Sequence, residues 1–220
     1  TGMKGLIKNN LSAVYANAKV FSVFLLLSGA FTVAVISQSL LIGYVLSGII
    51  GFSVCAIFAT KNEFTSKWGK YKLTLPVKRS DIIKSLFLNL IIWLLIGTIF
   101  AAVGVSLSWL FHGCPFDYPI DILSMFVLGI SISLFTGAIF FPCFCFSGAE
   151  KGEVFLIISL LGAFCIDLII LSITNDLLPK LLAPGIAVVF SGNAILLLSS
   201  LLALALSYPL TISLFCRREY

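Results

Sequence analysis

Residues 61–84 read KNEFTSKWGKYKLTLPVKRSDIIK, and their reading decides the fold because they form the one long polar segment of the chain. The segment carries Lys61, Lys67, Lys70, Lys72, Lys78, Arg79 and Lys84, seven of the fourteen Lys and Arg residues, together with Glu63 and Asp81. Long apolar runs flank it on both sides, so it reads as a loop between two membrane spans. Composition points the same way. The 220 residues are 60% hydrophobic and 10% charged, with a mean hydropathy of +1.15. A soluble domain carries about 25% charged residues, and a core of this size could not hide so many apolar side chains. A span needs about 20 apolar residues, and its backbone groups must bond internally. The runs are continuous rather than alternating at every second residue, which excludes a barrel. The fold class is therefore all-α, a polytopic membrane protein.

Working outward, Thr1-Gly2 ahead of Met3 reads as a cloning scar, and residues 3–220 form a single transmembrane domain. Residues 4–19 are amphipathic. Ile7, Leu11, Val14, Tyr15 and Ala18 recur at helical spacing, while Lys4, Lys8, Asn10 and Asn17 take other sides. A basic helix of this kind lies in the interface. Residues 20–60 carry no charge. One helix of that length would reach about 60 Å, twice the ~30 Å hydrocarbon thickness. Two spans, 20–36 and 40–60, fit better, joined near Ser37-Gln38-Ser39. A third span covers 85–111, after Ser80-Asp81 as N-cap and first-turn acid. A fourth covers 122–146, where Pro142 should bend or end the helix. The polar SGAEKGE follows, then a fifth span at 154–174 and a sixth at 194–215. Residues 176–193, with Pro179, Pro184 and Gly185, predict short helices that dip back into the membrane or an external cap. With the N-terminus inside, thirteen of the fourteen basic residues are cytoplasmic and only Lys180 is outside. That obeys the positive-inside rule and places both termini in the cytoplasm.

Few residues offer chemistry. There is no GxxxxGK[ST] phosphate loop, HExxH or GxSxG, and the single histidine, His112, falls in an external loop. The reading is not an enzyme. Five of the six cysteines lie in or at the ends of apolar runs, which argues against a disulfide framework. Cys143-x-Cys145 lacks zinc-knuckle spacing, so no metal site is expected. The net charge of +5 marks the cytoplasmic side rather than a nucleic-acid partner. Asp167, in FCIDLII, is the one charge deep within a span, at a cost of about 2.5–3.5 kcal/mol. It should face the bundle interior or water. It is either a pathway residue meeting a cationic group of a substrate or a hydrogen-bonded structural group at a helix contact. Asn89 suits an interhelical hydrogen bond. In the polar segment, Phe64, Trp68 and Tyr71 form an aromatic stripe at i, i+4 and i+7, and Glu63 and Lys67 an i,i+4 ion pair. They predict a short surface helix, with Leu75 extended before Pro76.

Two segments carry a resemblance. TLPVKRSDIIKS (74–85) resembles the signature that follows the second span of ABC-2 type transporter permeases, and FCFSGAEKGE (144–153) the signature after their fourth span. Their spacing and six-span context match across the chain from Met3. Within the family the chain is most similar to permeases of bacterial exporters of amphipathic peptide toxins, the phenol-soluble modulins. Glu153 departs from the pattern, standing where the family usually has a basic residue, and Ser147 departs too.

The resemblance implies a type II exporter architecture in the bacterial plasma membrane, with residues 4–19 as an elbow helix and 176–193 as an external re-entrant segment. It implies a permease dimer, expected to be a homodimer, with two copies of a separate ABC ATPase that bind ATP and Mg; this chain binds no cofactor. Glu63, Phe64, Lys67, Trp68, Lys70 and Tyr71 map to the coupling helix that docks on the ATPase, with Pro76, Lys78, Arg79 and Asp81 nearby. Gly148, Glu150 and Lys151 map to a second contact. The substrate pathway would lie at the dimer interface along spans one, two and five, with Asp167 and Asn89 as its polar residues. The expected cargo is an amphipathic peptide, toxin or antimicrobial, or a hydrophobic drug. A peptide-sensing or immunity protein without transport of its own is the competing reading. A secondary transporter is the third, and the lack of intramembrane charge pairs counts against it.

Overall fold

The structure, a computed structural model, describes residues 2–34, 37–66, 78–113, 118–147 and 151–217. They form six helices: α1 (Gly2–Ala34), α2 (Gln38–Thr65), α3 (Arg79–His112), α4 (Pro119–Ser147), α5 (Gly152–Leu181) and α6 (Ile186–Arg217). Among the described residues there is no strand. Helices α2 to α6 are each long and apolar enough to cross a membrane, and α1 makes six if its two bent segments count as one span.

The helices run past the apolar stretches read from the sequence. With 28 residues in α2 and 34 in α3, they reach about 42 and 51 Å at 1.5 Å per residue, more than the ~30 Å core. The excess is polar helix outside the hydrocarbon. Residues 61–65 therefore belong to α2 and 79–84 to α3, and 67–77 lie outside the described residues. Ser80 lies inside α3 rather than capping it; the cap position is Lys78, without a side-chain cap bond, and Asp81 does fall in the first turn. Residues 176–193 lie only partly within the described residues. Their described part is the last turns of α5 and the first turns of α6, not separate short helices. The apolar pattern of each helix continues through them, and Pro179 sits inside α5. Helix α1 is continuous from the amphipathic segment into the first span, with a 47° bend between Gly5–Tyr15 and Asn17–Thr32.

Pro142 does not end α4, which continues to Ser147. Proline lacks the N–H that would bond the carbonyl four residues back, here Ala138. Ser207 of α6 donates its hydroxyl to that oxygen at 2.8 Å. A neighbouring hydroxyl re-satisfies the freed carbonyl where water cannot.

Two large apolar clusters hold most of the bundle. One joins α1, α2 and α3 through Leu25, Val45, Ile49, Phe52, Trp93 and Ala101. The other joins α2, α3, α4 and α6 through Ile57, Leu86, Phe141, Phe144, Leu204 and Phe215. A smaller one joins α4 and α5 through Ile132, Phe135 and Ala163. Helix α4 is central, touching α2, α3, α5 and α6. In the first cluster two glycines set the spacing. A Cβ on Gly97 would stand 2.9 Å from the Gly48 carbonyl oxygen, and one on Gly104 would overlap the Tyr44 ring. Small residues at such crossings let helices approach closely in lipid, where packing drives association. Helix α5 is peripheral: Ile157, Leu161, Phe164 and Leu168 are exposed.

Candidate functional site

One end of the bundle gathers the start of α1, α3 and α5 and the end of α2, α4 and α6. The last turns of α2 connect them. Glu63 is buried at 8% exposure, and its Oε1 accepts from Asn9 Nδ2 at 2.9 Å. The neighbouring Asn10 donates to Ser85 Oγ in the second turn of α3 at 3.1 Å. The amphipathic start of α1 is thus bonded to both roots of the polar segment. Leu6 and Val14, buried on the same stretch, add its apolar contact.

Phe64 faces inward. Its ring meets Phe144 of α4 edge-on at 5.5 Å between centroids and Phe215 of α6 at 6.4 Å. Lys61 reaches α5: its Nζ donates to Glu153 Oε1 at 2.6 Å as an ion pair. The lysine stem lies over Gly152, where a Cβ would come within 2.6 Å of Lys61 Cγ. The ammonium also sits 5.3 Å from the Phe58 ring centroid. Glu153, in the first turn of α5, also complements the positive end of the helix dipole.

The polar segment leaves this end capped by Ser66, whose N–H bonds to the carbonyls of Asn62 and Glu63 and whose hydroxyl donates to Glu63 O at 2.6 Å. The chain re-enters at Lys78, exposed, with Arg79 exposed beside it and Asp81 and Lys84 in the first turns of α3. Lys151, exposed, precedes α5. The remaining coupling residues read from the sequence, Lys67, Trp68, Lys70, Tyr71, Pro76, Gly148 and Glu150, lie outside the described residues.

Phe64 belongs to α2 and packs into the bundle, whereas Trp68 and Tyr71 lie outside the described residues. Glu63 is likewise part of α2, where its buried carboxylate accepts from Asn9; Lys67 lies outside the described residues. Asn9, Ser85, Lys61 and Gly152 are the site residues that sequence reasoning missed. Glu153 gave the one signal: an acid where a basic residue is usual asks for a cation, and Lys61 is that cation.

Asp167 and Asn89 are not brought together. They lie on α5 and α3, which do not touch among the described residues. Asp167 is 2% exposed; its Oδ2 accepts from Ser131 Oγ of α4 at 2.8 Å, while Oδ1 has no partner among the described residues. It faces the bundle interior, as a carboxyl in a span must, at a contact between helices. Asn89 is equally buried, and its Oδ1 also lacks a partner among the described residues.

Long apolar helices, a charged segment rooted on two of them and cross-links to every other helix at the same end define a multi-pass membrane protein with one polar, loop-bearing face. The model of the ABC-2 family transporter protein matches residues 5–216, and the chain belongs to that family. It is a membrane permease component of an ABC exporter, not itself catalytic, that works with an ABC ATPase. No curated protein and no solved structure matches the chain.

Proposed function

We propose that this chain is the permease subunit of an ATP-driven exporter of amphipathic peptides, of the phenol-soluble modulin type, or of hydrophobic drugs. Two copies form the permease in the bacterial plasma membrane, with both termini cytoplasmic. Two ATPase subunits, which hold ATP and Mg, dock on the polar face. The loop between α2 and α3 is their main handle, through Lys67, Trp68, Lys70 and Tyr71, with Lys78 and Arg79 beside it. Gly148, Glu150 and Lys151 form the second contact. The start of α1 serves as the elbow helix, and cargo passes at the dimer interface.

The observation that carries this reading is the wiring of the last turns of α2. A push on the loop reaches α1 through Glu63 and Asn9, α5 through Lys61 and Glu153, and α4 and α6 through Phe64. Movement at one loop is thereby delivered to the whole bundle. ATP binding that clamps the ATPase pair would use this route to change which side the pathway faces. The bonds are individually modest, but they act on one rigid helix end.

The test is to co-express the chain with the ATPase encoded beside its gene, then measure the mass of the purified membrane complex and its ATP hydrolysis. Two permeases with two ATPases, and hydrolysis that rises with amphipathic peptide, support the proposal. A stable dimer that binds no ATPase removes the handle and leaves a peptide-sensing or immunity protein.

A further inference from the structure

Between α1 and α3 run two cavities that meet at Phe100, a residue lining both. The first, about 340 Å³, lies beside the bend of α1 and is lined by Tyr15, Lys19, Ser22, Phe52 and Trp93. The second, about 530 Å³, lies further along the helices and is lined by Leu26, Gly29, Tyr44, Val103, Gly104 and Leu107. Both fall within the ~300–1,000 Å³ of small-molecule sites.

Their chemistries differ. The first has a cation, Lys19, at its mouth and the indole of Trp93 in its wall. Lys19 is exposed and has no carboxylate partner among the described residues. Trp93 is 6% exposed, and its indole Nε1 is buried without a hydrogen-bond partner among the described residues. An unpaired buried N–H costs about 1–3 kcal/mol, so this donor calls for an acceptor that the chain does not supply. The second cavity carries no charge, and its one hydroxyl, on Tyr44, already donates to the Phe100 carbonyl at 3.4 Å. It offers only apolar wall. From Lys19 to Ala30 along α1 is about 16 Å at 1.5 Å per residue, close to half the ~30 Å hydrocarbon core. Lys19 itself stands where the uncharged run begins, and its long stem lets the ammonium reach toward the head groups.

We infer that the α1–α3 groove is a binding site for one membrane lipid with an anionic head group. The phosphate sits at Lys19, the indole N–H of Trp93 supplies a hydrogen bond, and one acyl chain lies along Phe52 and Phe100 into the slot beside Tyr44. Basic pockets between spans recognise acidic head groups in this way. The inference needs only that the helices span a membrane and does not depend on what the protein transports.

The test uses the full chain in proteoliposomes doped with phosphatidylglycerol carrying a diazirine near the end of one acyl chain, or with phosphatidylcholine of identical chains. After photolysis, labels are mapped by peptide mass spectrometry. Labelling at Leu26, Val103 and Leu107 is expected to be about five-fold stronger with the anionic lipid, the size of one basic contact at a membrane surface. The exposed face of α5, at Leu161 and Phe164, should label equally with both lipids. Lys19→Gln should bring the anionic lipid down to the neutral one. Ala30→Phe, which fills the second cavity, should remove the groove labels and leave those on α5, showing that the variant is folded. Equal groove labelling by both lipids, or no response to either substitution, overturns the site. Equal labelling that an added amphipathic peptide erases assigns the groove to cargo and overturns it too.

Discussion

Asn9 donates to Glu63 at 2.9 Å, joining the second turn of α1 to the last turn of α2 at the root of the polar segment. The bond spans 54 positions of sequence and fixes the amphipathic start of α1 against the root of the polar segment. Asn9→Ala removes the donor and with it this bond between α1 and α2. The expected loss is about 1–3 kcal/mol, read as a lower unfolding midpoint in detergent. Asn17→Ala, exposed beyond the bend, should shift the midpoint by less than about 0.5 kcal/mol. Equal shifts for the two would contradict the assignment.

Ser207 and Pro142 should show a coupling of opposite sense. Ser207→Ala leaves the Ala138 carbonyl without the hydroxyl that replaces the missing proline N–H, at a cost of about 0.6–2 kcal/mol. In a Pro142→Ala background the helix supplies its own donor, so the same serine substitution should cost little. A double-mutant cycle in thermal unfolding measures this. Additive losses would show that the serine does not serve the proline's carbonyl.

Gly104 holds the slot in which the Tyr44 ring lies. Alanine favours helix over glycine by about 1 kcal/mol, yet Gly104→Ala drives a methyl into the ring and should destabilise by about 1–3 kcal/mol. Gly43→Ala, which meets nothing within 4 Å, is the control and should be neutral or slightly stabilising. If both substitutions behave alike, the close approach of α2 and α3 at Tyr44 is not what the geometry states.

At Asp167 the bond from Ser131 joins α5 to α4. Asp167→Asn keeps an acceptor there and should leave the unfolding midpoint nearly unchanged. Asp167→Leu loses the interhelical bond, at about 0.6–2 kcal/mol. Export of a cationic amphipathic peptide, assayed on the stable Asn variant, then reports any part for the charge in the pathway. A large loss of stability in the Asn variant would mean that the ionised form is essential to the helix contact.

The helices were legible because lipid imposes a length: each needs a long uncharged run, and the runs stand out in the sequence. Their ends were not, because they are decided by partners far away. Lys61 finds Glu153 92 positions later, and Asn10 finds Ser85 75 positions later. Glu63 offered only a local pair with Lys67 to the reader of the sequence, while its bond to Asn9 lies 54 positions away. Phe64 shared an aromatic period with Trp68, but period alone cannot tell a surface stripe from the last inward turn of a span. Pro142 read as a break because its rescue comes from Ser207, on another helix. Asp167 was legible as inward-facing from cost alone, while its partner was not.

The central claim is that the loop between α2 and α3 couples the ATPase to the bundle. Reversing its charge with Lys67→Glu and Lys70→Glu, and measuring ATP hydrolysis and peptide export in the same proteoliposomes, tests it most directly. The account predicts that hydrolysis continues or the ATPase is lost, while export falls at least about ten-fold, the equivalent of 1.4 kcal/mol. Unchanged export with unchanged ATPase association would contradict it.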